Sequence, residues 1–225
     1  MNTENNGSQN ATAQTVSRES IISLYMEQVL NHEKNPTSVY KFCKEHNLEE
    51  AEFYSFFGSF EGIQLEIWNS FYRQTIQLIN KDASYEAFSN KEKMLTFFYT
   101  FFEVLTLNRS YVLFALNENK DMLRNLRQLK GLRIHVKEFA AGLIEEKNEE
   151  KNLKILKKPV SIFSEGAWIQ TLFLLKYWME DNSQAFENTD IAIEKSVRAI
   201  FDLFDTSPLE SVLDLGKFLW KEKKV

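Results

Sequence analysis

A single cysteine, Cys43, in 225 residues leaves no partner for an intramolecular disulfide. The opening residues lack the make-up of an arginine-rich presequence or signal peptide, so a reducing cytoplasm is the expected compartment. Three prolines and seven glycines are too few for a turn-rich β architecture and favour long, uninterrupted helices. His32, His46 and His135 are scattered, and neither they nor Cys43 show metal-ligand spacing. There is no glycine loop to cradle phosphate, and the many Glu and Lys residues read as solvated helix faces. No catalysis, cofactor or metal is therefore predicted. The apolar stretches Thr96 to Leu107 and Ile169 to Met179 are too short to cross a membrane and are interrupted by Glu103 and Lys176, so stable insertion is not expected. Positive charge is also in deficit. Lys and Arg number 27 against 32 Asp and Glu, for a net charge of −5 and a pI near 5.4, so any binding to nucleic acid or anionic lipid has to be local.

What the chain does have is bulk. Hydrophobic residues make up 44% and aromatics 14%, with 19 Phe, more apolar area than a minimal helical core needs and enough to line a cavity or an interface. Residues 1–16, rich in Asn, Thr, Gln and Ser, lack apolar periodicity and read as a disordered tail. From Arg18 the stripe Ile21, Ile22, Tyr25, Val29 and Leu30 predicts a helix ending near Lys34, after which Pro36 marks a stop and Thr37 a new N-cap. Val39, Phe42 and Cys43 face inward on a short second helix. Asn47 then supplies a left-handed turn, and Glu49 to Phe57 forms a third helix packed through Phe53, Phe56 and Phe57. Gly58-Ser59 breaks that helix and caps a fourth, running through Ile63, Ile67, Phe71 and Ile76 toward Asn80. Further helical blocks are expected at Lys91 to Leu107, Tyr111 to about Lys147, Pro159 to Asp181, Thr189 to Asp205 and Leu209 to Lys224, with Lys147 to Lys158 exposed. The fold class is all-α, without strand signal or fixed-period repeat.

The stretch PTSVYKFCKEHNLEEAEFYSFFGSFEGI resembles the helix-turn-helix headpiece of the TetR family over roughly residues 18–80. Its most specific elements are Thr37, the Asn47-Leu48 turn, the Phe53-Tyr54 pair, Phe57, and Ser59 followed by Glu61. The resemblance implies a headpiece over 17–62 and a helical ligand-binding and dimerisation domain over 63–225. It also implies a homodimer, operator DNA as partner, and Thr37, Ser38, Glu49, Glu50, Glu52 and Tyr54 as the residues beside the DNA. Two departures weigh against that function. The recognition helix opens on Glu49, Glu50 and Glu52 where the family usually has small, hydroxylated or basic residues, and Phe60 stands where a phosphate-contacting lysine is usual. Between Arg18 and Glu66 four basic residues face nine acidic ones, a poor match to a ligand whose affinity comes mainly from phosphate contacts.

In the second domain Phe97, Phe98, Phe101, Phe102, Leu105, Tyr111 and Phe114, with Trp168 and Phe173, concentrate aromatic surface. Ordinary core packing accounts for any one of them, while the set suggests a pocket for an apolar small molecule or lipid. The segment 168–179, apolar almost all round, suggests a helix buried on both sides. Its Leu172, Leu175, Trp178 and Met179, with Ile193, Val197, Ile200 and Phe204 on the next helix, form a candidate dimer interface, against the alternative of a monomer with a thick core. Leu209, Val212, Leu213, Leu219 and Trp220 with Lys217, Lys221, Lys223 and Lys224 suggest a last helix that docks on its own domain rather than lying on a membrane surface. Two functions follow from the resemblance. One is a ligand-responsive transcriptional regulator. The other is a TetR-fold protein that binds lipid or isoprenoid in place of DNA, similar to the lipid-binding accessory protein of ubiquinone biosynthesis.

Overall fold

The computed structural model describes residues 16–118, 122–149 and 160–205. Every regular element among them is a helix, and the chain divides into two compact units, the first ending at Ile63 and the second beginning at Gln64. Residues 1–15 of the 1–16 tail, most of the 147–158 stretch and the 209–224 helix expected from sequence lie outside the described residues, although Lys147 to Glu149 still belong to a helix.

The first unit holds α1 (Arg18–His32), α2 (Val39–Glu45), α3 (Glu50–Phe56) and the start of α4 (Phe60–Ile79). α1 is launched by a reciprocal cap in which the Ser20 amide donates to Ser17 Oγ at 3.1 Å and the Ser17 amide to Ser20 Oγ at 2.9 Å. It ends slightly earlier than the pattern suggested, because Glu33 adopts φ 51°, a left-handed conformation that terminates the helix. α2 is capped by Ser38, not Thr37. Ser38 is the residue with extended backbone immediately before the helix, and its hydroxyl accepts from the Lys41 amide three residues on. Asn47, at φ 54°, makes the turn into α3. Ile21, Tyr25, Val29, Phe42, Cys43, Phe53, Phe57 and Ile63 form the unit's core.

The second unit takes the rest of α4 and adds α5 (Asn90–Leu107), α6 (Arg109–Asn117), α7 (Met122–Leu126), α8 (Lys130–Glu149), α9 (Val160–Glu180) and α10 (Glu187–Asp205). α5 packs on α8 and α10, and α9 lies between α8 and α10. The connection 81–90 carries a short 3-10 turn at Tyr85–Ala87 whose Tyr85 is buried. The single helical block expected from Tyr111 to Lys147 is interrupted. α6 stops at Asn117, and the buried amides of Asn125 and Gln128 donate to the carbonyls of Leu116 at 2.8 Å and Ala115 at 2.9 Å. These side chains satisfy the α6 terminus in place of a further helical turn. Between α9 and α10, Ala185 and Phe186 take positive φ consecutively, 51° and 61°, a conformation that costs non-glycine residues about 1 kcal/mol each.

An aromatic chain runs through this core. Phe139 stacks on Phe97 at 4.6 Å, Phe97 on Phe101 at 5.7 Å, Phe101 meets Phe102 edge-on at 5.7 Å, and Phe102 reaches Trp178 at 6.0 Å. Among the described residues no helix is long and apolar enough to cross a membrane.

Candidate functional site

In the first unit, α2 and α3 form a helix-turn-helix whose outer face can be read residue by residue. Phe53 is fully buried, while Glu50, Tyr54 and Ser55 are exposed, Tyr54 by 53%. Thr37 and Ser38 are exposed ahead of α2, so both remain accessible although only Ser38 caps. Tyr40, Lys41 and Lys44 share the exposed side of α2. They were missed from sequence, although 37, 40/41 and 44 follow the helical repeat that marks one face.

The three glutamates do not act alike. Glu52 is half-buried, and its Oε2 accepts from the Glu49 amide at 2.9 Å, so it caps its own helix rather than reaching outward. Glu49 and Glu50 are exposed. Burial first, then the field of Glu50, Glu52 and Glu49, pushes the Cys43 thiol above its ordinary value, which keeps it protonated and unreactive.

Phe60 accounts for its own departure from the family pattern. Its ring lies 5.7 Å from Tyr25, 5.6 Å from Phe42 and 5.6 Å from Phe53, so the position serves the core of the first unit. Arg18, one of the four bases in this segment, sits over the Phe57 ring at 4.8 Å. A polar clamp joins α1 to α2. Gln28 donates to Glu45 Oε2 at 2.6 Å, His46 Nε2 lies 3.2 Å from Gln28 Oε1, and a cleft of about 240 Å³ opens beside them.

In the second unit the residues expected to line a pocket are divided. Phe97, Phe98, Phe101, Leu105, Tyr111 and Trp168 are buried in the unit's own packing, and Phe114 is half-buried. Phe102 and Trp178 form the floor of an open groove of about 460 Å³ between α5 and the start of α10. Phe173 stands apart from them, 52% exposed and paired with Tyr177 at 6.1 Å.

The residues expected at a dimer interface are also rephased. Leu175, Trp178, Ile193 and Val197 are buried within their own unit, while Leu172, Met179 and Ile200 are half-buried. The side chain of Phe204 lies outside the described residues. The outward apolar stripe of α9 is Ile162, Ile169, Phe173 and Tyr177. A helix apolar on nearly every side offers no polar stripe by which sequence can decide which face points out.

The α9–α10 corner holds a dense set of polar bonds. Arg109, in the first turn of α6, donates to the carbonyls of Trp178 at 2.9 Å, Met179 at 3.2 Å and Asp181 at 3.4 Å. Its guanidinium lies 4.3 Å from the Trp178 ring centroid and 4.5 Å from that of Phe186. Asp181 accepts from the amide and hydroxyl of Ser183 and from the amide and hydroxyl of Thr189, at 2.6 to 2.9 Å. Burial works to raise its carboxyl, and these four bonds override that and hold it at about 2. Among the described residues no three His, Cys, Asp or Glu side chains are grouped to hold a metal ion.

These features can be set beside known proteins. A family model described as "Tetracyclin repressor-like, C-terminal domain" matches residues 93–219, more than half of the chain. A crystal structure from Syntrophomonas wolfei str. Goettingen, whose name assigns it to the TetR-family transcriptional regulators, is similar with a TM-score of 0.63. That likeness covers 84% of this chain and 95% of the other at 18% identity, and so shows a shared fold. No curated protein matches the chain. With a matched second unit and a helix-turn-helix in the first, the chain belongs to the tetracyclin repressor-like, or TetR, family.

Proposed function

We propose that the protein is a dimeric transcriptional regulator that engages operator DNA through α2 and α3 and answers to an apolar small molecule held by its second unit. The observation that carries this reading is the outward face of the helix-turn-helix. Thr37, Ser38, Tyr40, Lys41 and Lys44 are exposed along α2, and Tyr54 is exposed on α3. Hydroxyls and lysines of this kind contact phosphate, and the start of the second helix of such a motif reads base edges. The Ile162, Ile169, Phe173 and Tyr177 stripe supports pairing of two copies through α9, since a stripe of large apolar groups left in water favours a partner.

Local charge sets the strength of the contact. With four bases against nine acids between Arg18 and Glu66, and Glu49 and Glu50 at the head of α3, the affinity for DNA is low, and its salt dependence is limited by the few phosphates those bases can neutralise. The same imbalance favours a second reading, a TetR-fold protein that binds a lipid or isoprenoid and does not read DNA.

One experiment separates the two. The purified full chain is taken through random-library DNA selection at low and moderate salt, beside a Glu49→Gln/Glu50→Gln/Glu52→Gln variant. The last of these changes keeps a side-chain oxygen in place to cap α3. The regulator reading expects sequence-specific retention at low salt and tighter binding by the variant. Retention by neither protein, with a lipid-soluble molecule copurifying, would establish the second reading in its place.

A further inference from the structure

Aromatic faces and carboxylates meet at the open groove between α5 and the start of α10. Phe102 and Trp178 lie buried at its floor, Tyr99 and Phe186 are half-buried along its sides, and Glu103 and Asp190 are exposed at its rim. Its volume of about 460 Å³ falls within the usual range for small-molecule sites, roughly 300–1,000 Å³. No Lys, Arg or His is among its lining residues. Arg109 lies over the Trp178 and Phe186 rings but spends its donors on three backbone carbonyls at the end of α9.

Negative charge is crowded there. Partial desolvation, then Asp181 and Glu187, pushes the Asp190 carboxyl above its ordinary value, and partial burial, then Glu194 and Asp190, does the same to the Tyr99 hydroxyl. A cation placed in the groove would relieve that crowding, and the Tyr99 and Phe102 rings, over which Arg109 does not lie, would attract it by their quadrupoles at distances up to about 6 Å. Among the described residues no three His, Cys, Asp or Glu side chains are grouped to hold a metal ion, whereas a weakly hydrated organic cation is suited by ring faces together with carboxylates.

We propose that this groove binds an organic ammonium cation, its charge set against Glu103 and Asp190 and its hydrocarbon against Phe102 and Trp178. The site is distinct from the ring packing inside the unit, and it operates whether or not the first unit engages DNA.

Isothermal titration of the full chain with benzyltrimethylammonium tests this, with benzyl alcohol as the neutral comparator and benzenesulfonate as the anionic one. The expected result is saturable binding of one cation per chain, at least about tenfold tighter than either comparator. A Glu103→Gln/Asp190→Asn variant, which changes only exposed side chains and whose melting temperature is checked alongside, should bind the cation about tenfold more weakly or worse. Absence of saturable binding, equal affinity for the comparators, or a double variant that binds as tightly as the parent would each overturn the proposal.

Discussion

Replacing Asp181 by Asn changes one oxygen to an amide at the corner where α9 gives way to α10. In the native chain Oδ1 accepts both Ser183 donors and Oδ2 both Thr189 donors. An asparagine can keep one pair but must point its own NH2 at the other, where the hydroxyl can turn to accept but the backbone amide is left without an acceptor, at a cost of about 1–3 kcal/mol. Loss of the charge adds to this. The carboxyl sits at about 2 against an ordinary value of 3.8, and at about 1.4 kcal/mol per pKa unit that corresponds to roughly 2 kcal/mol of stability. The two contributions overlap, so a loss of about 3 kcal/mol near pH 7 is expected, lowering the melting temperature by about 6–12 °C. The sign with pH follows from the depressed value. The contribution is complete above the unfolded carboxyl's range and disappears as pH falls through about 4 toward 2, so the gap between parent and variant should narrow over that window. Urea unfolding at several pH values measures it. A difference under about 0.5 kcal/mol near pH 7, or one that stays constant down to about pH 3, would refute the reasoning.

Phe60→Lys, which restores the residue usual in the family, should destabilise the first unit by about 2 kcal/mol in urea unfolding because it removes the ring that meets Tyr25, Phe42 and Phe53. Cys43 should resist a thiol reagent in the native chain at about pH 8 and react fully in denaturant, since burial and three glutamates hold the thiol protonated; rapid native labelling would contradict that. A Phe173→Arg/Tyr177→Arg variant should keep the parent's melting temperature within a few degrees, because both positions are exposed. The same variant should weaken self-association at least tenfold by sedimentation, and unchanged association would remove α9 from the interface.

Where a residue's role depends on its neighbours along the chain, sequence was sufficient. The turn at Asn47, the packing of Phe53 and the break after Leu107 follow from local backbone preference and helical spacing, and each has its place in the structure. The cap of α2 differed by one residue, because Thr37 and Ser38 are chemically equivalent there and only backbone conformation chooses between them. Contacts between distant segments were not legible. Nothing adjacent to Gln128 announces that its amide closes α6, and nothing around Arg109 that it closes α9. α9 itself could not be phased, so Phe173 was expected in a pocket wall and Leu175 and Trp178 at an interface, whereas the first is exposed and the other two are buried in their own unit. Phe60 and Glu52 gave a different lesson. Both looked like losses of DNA contact, and both are occupied in holding the first unit together.

The guanidinium of Arg109 has a mechanical consequence. It grips the tail of one helix from the head of another while two rings flank it, so α6 cannot slide along α9 without tearing several contacts at once. A displacement of Phe186 or Trp178 therefore bears on α6 through the guanidinium they flank.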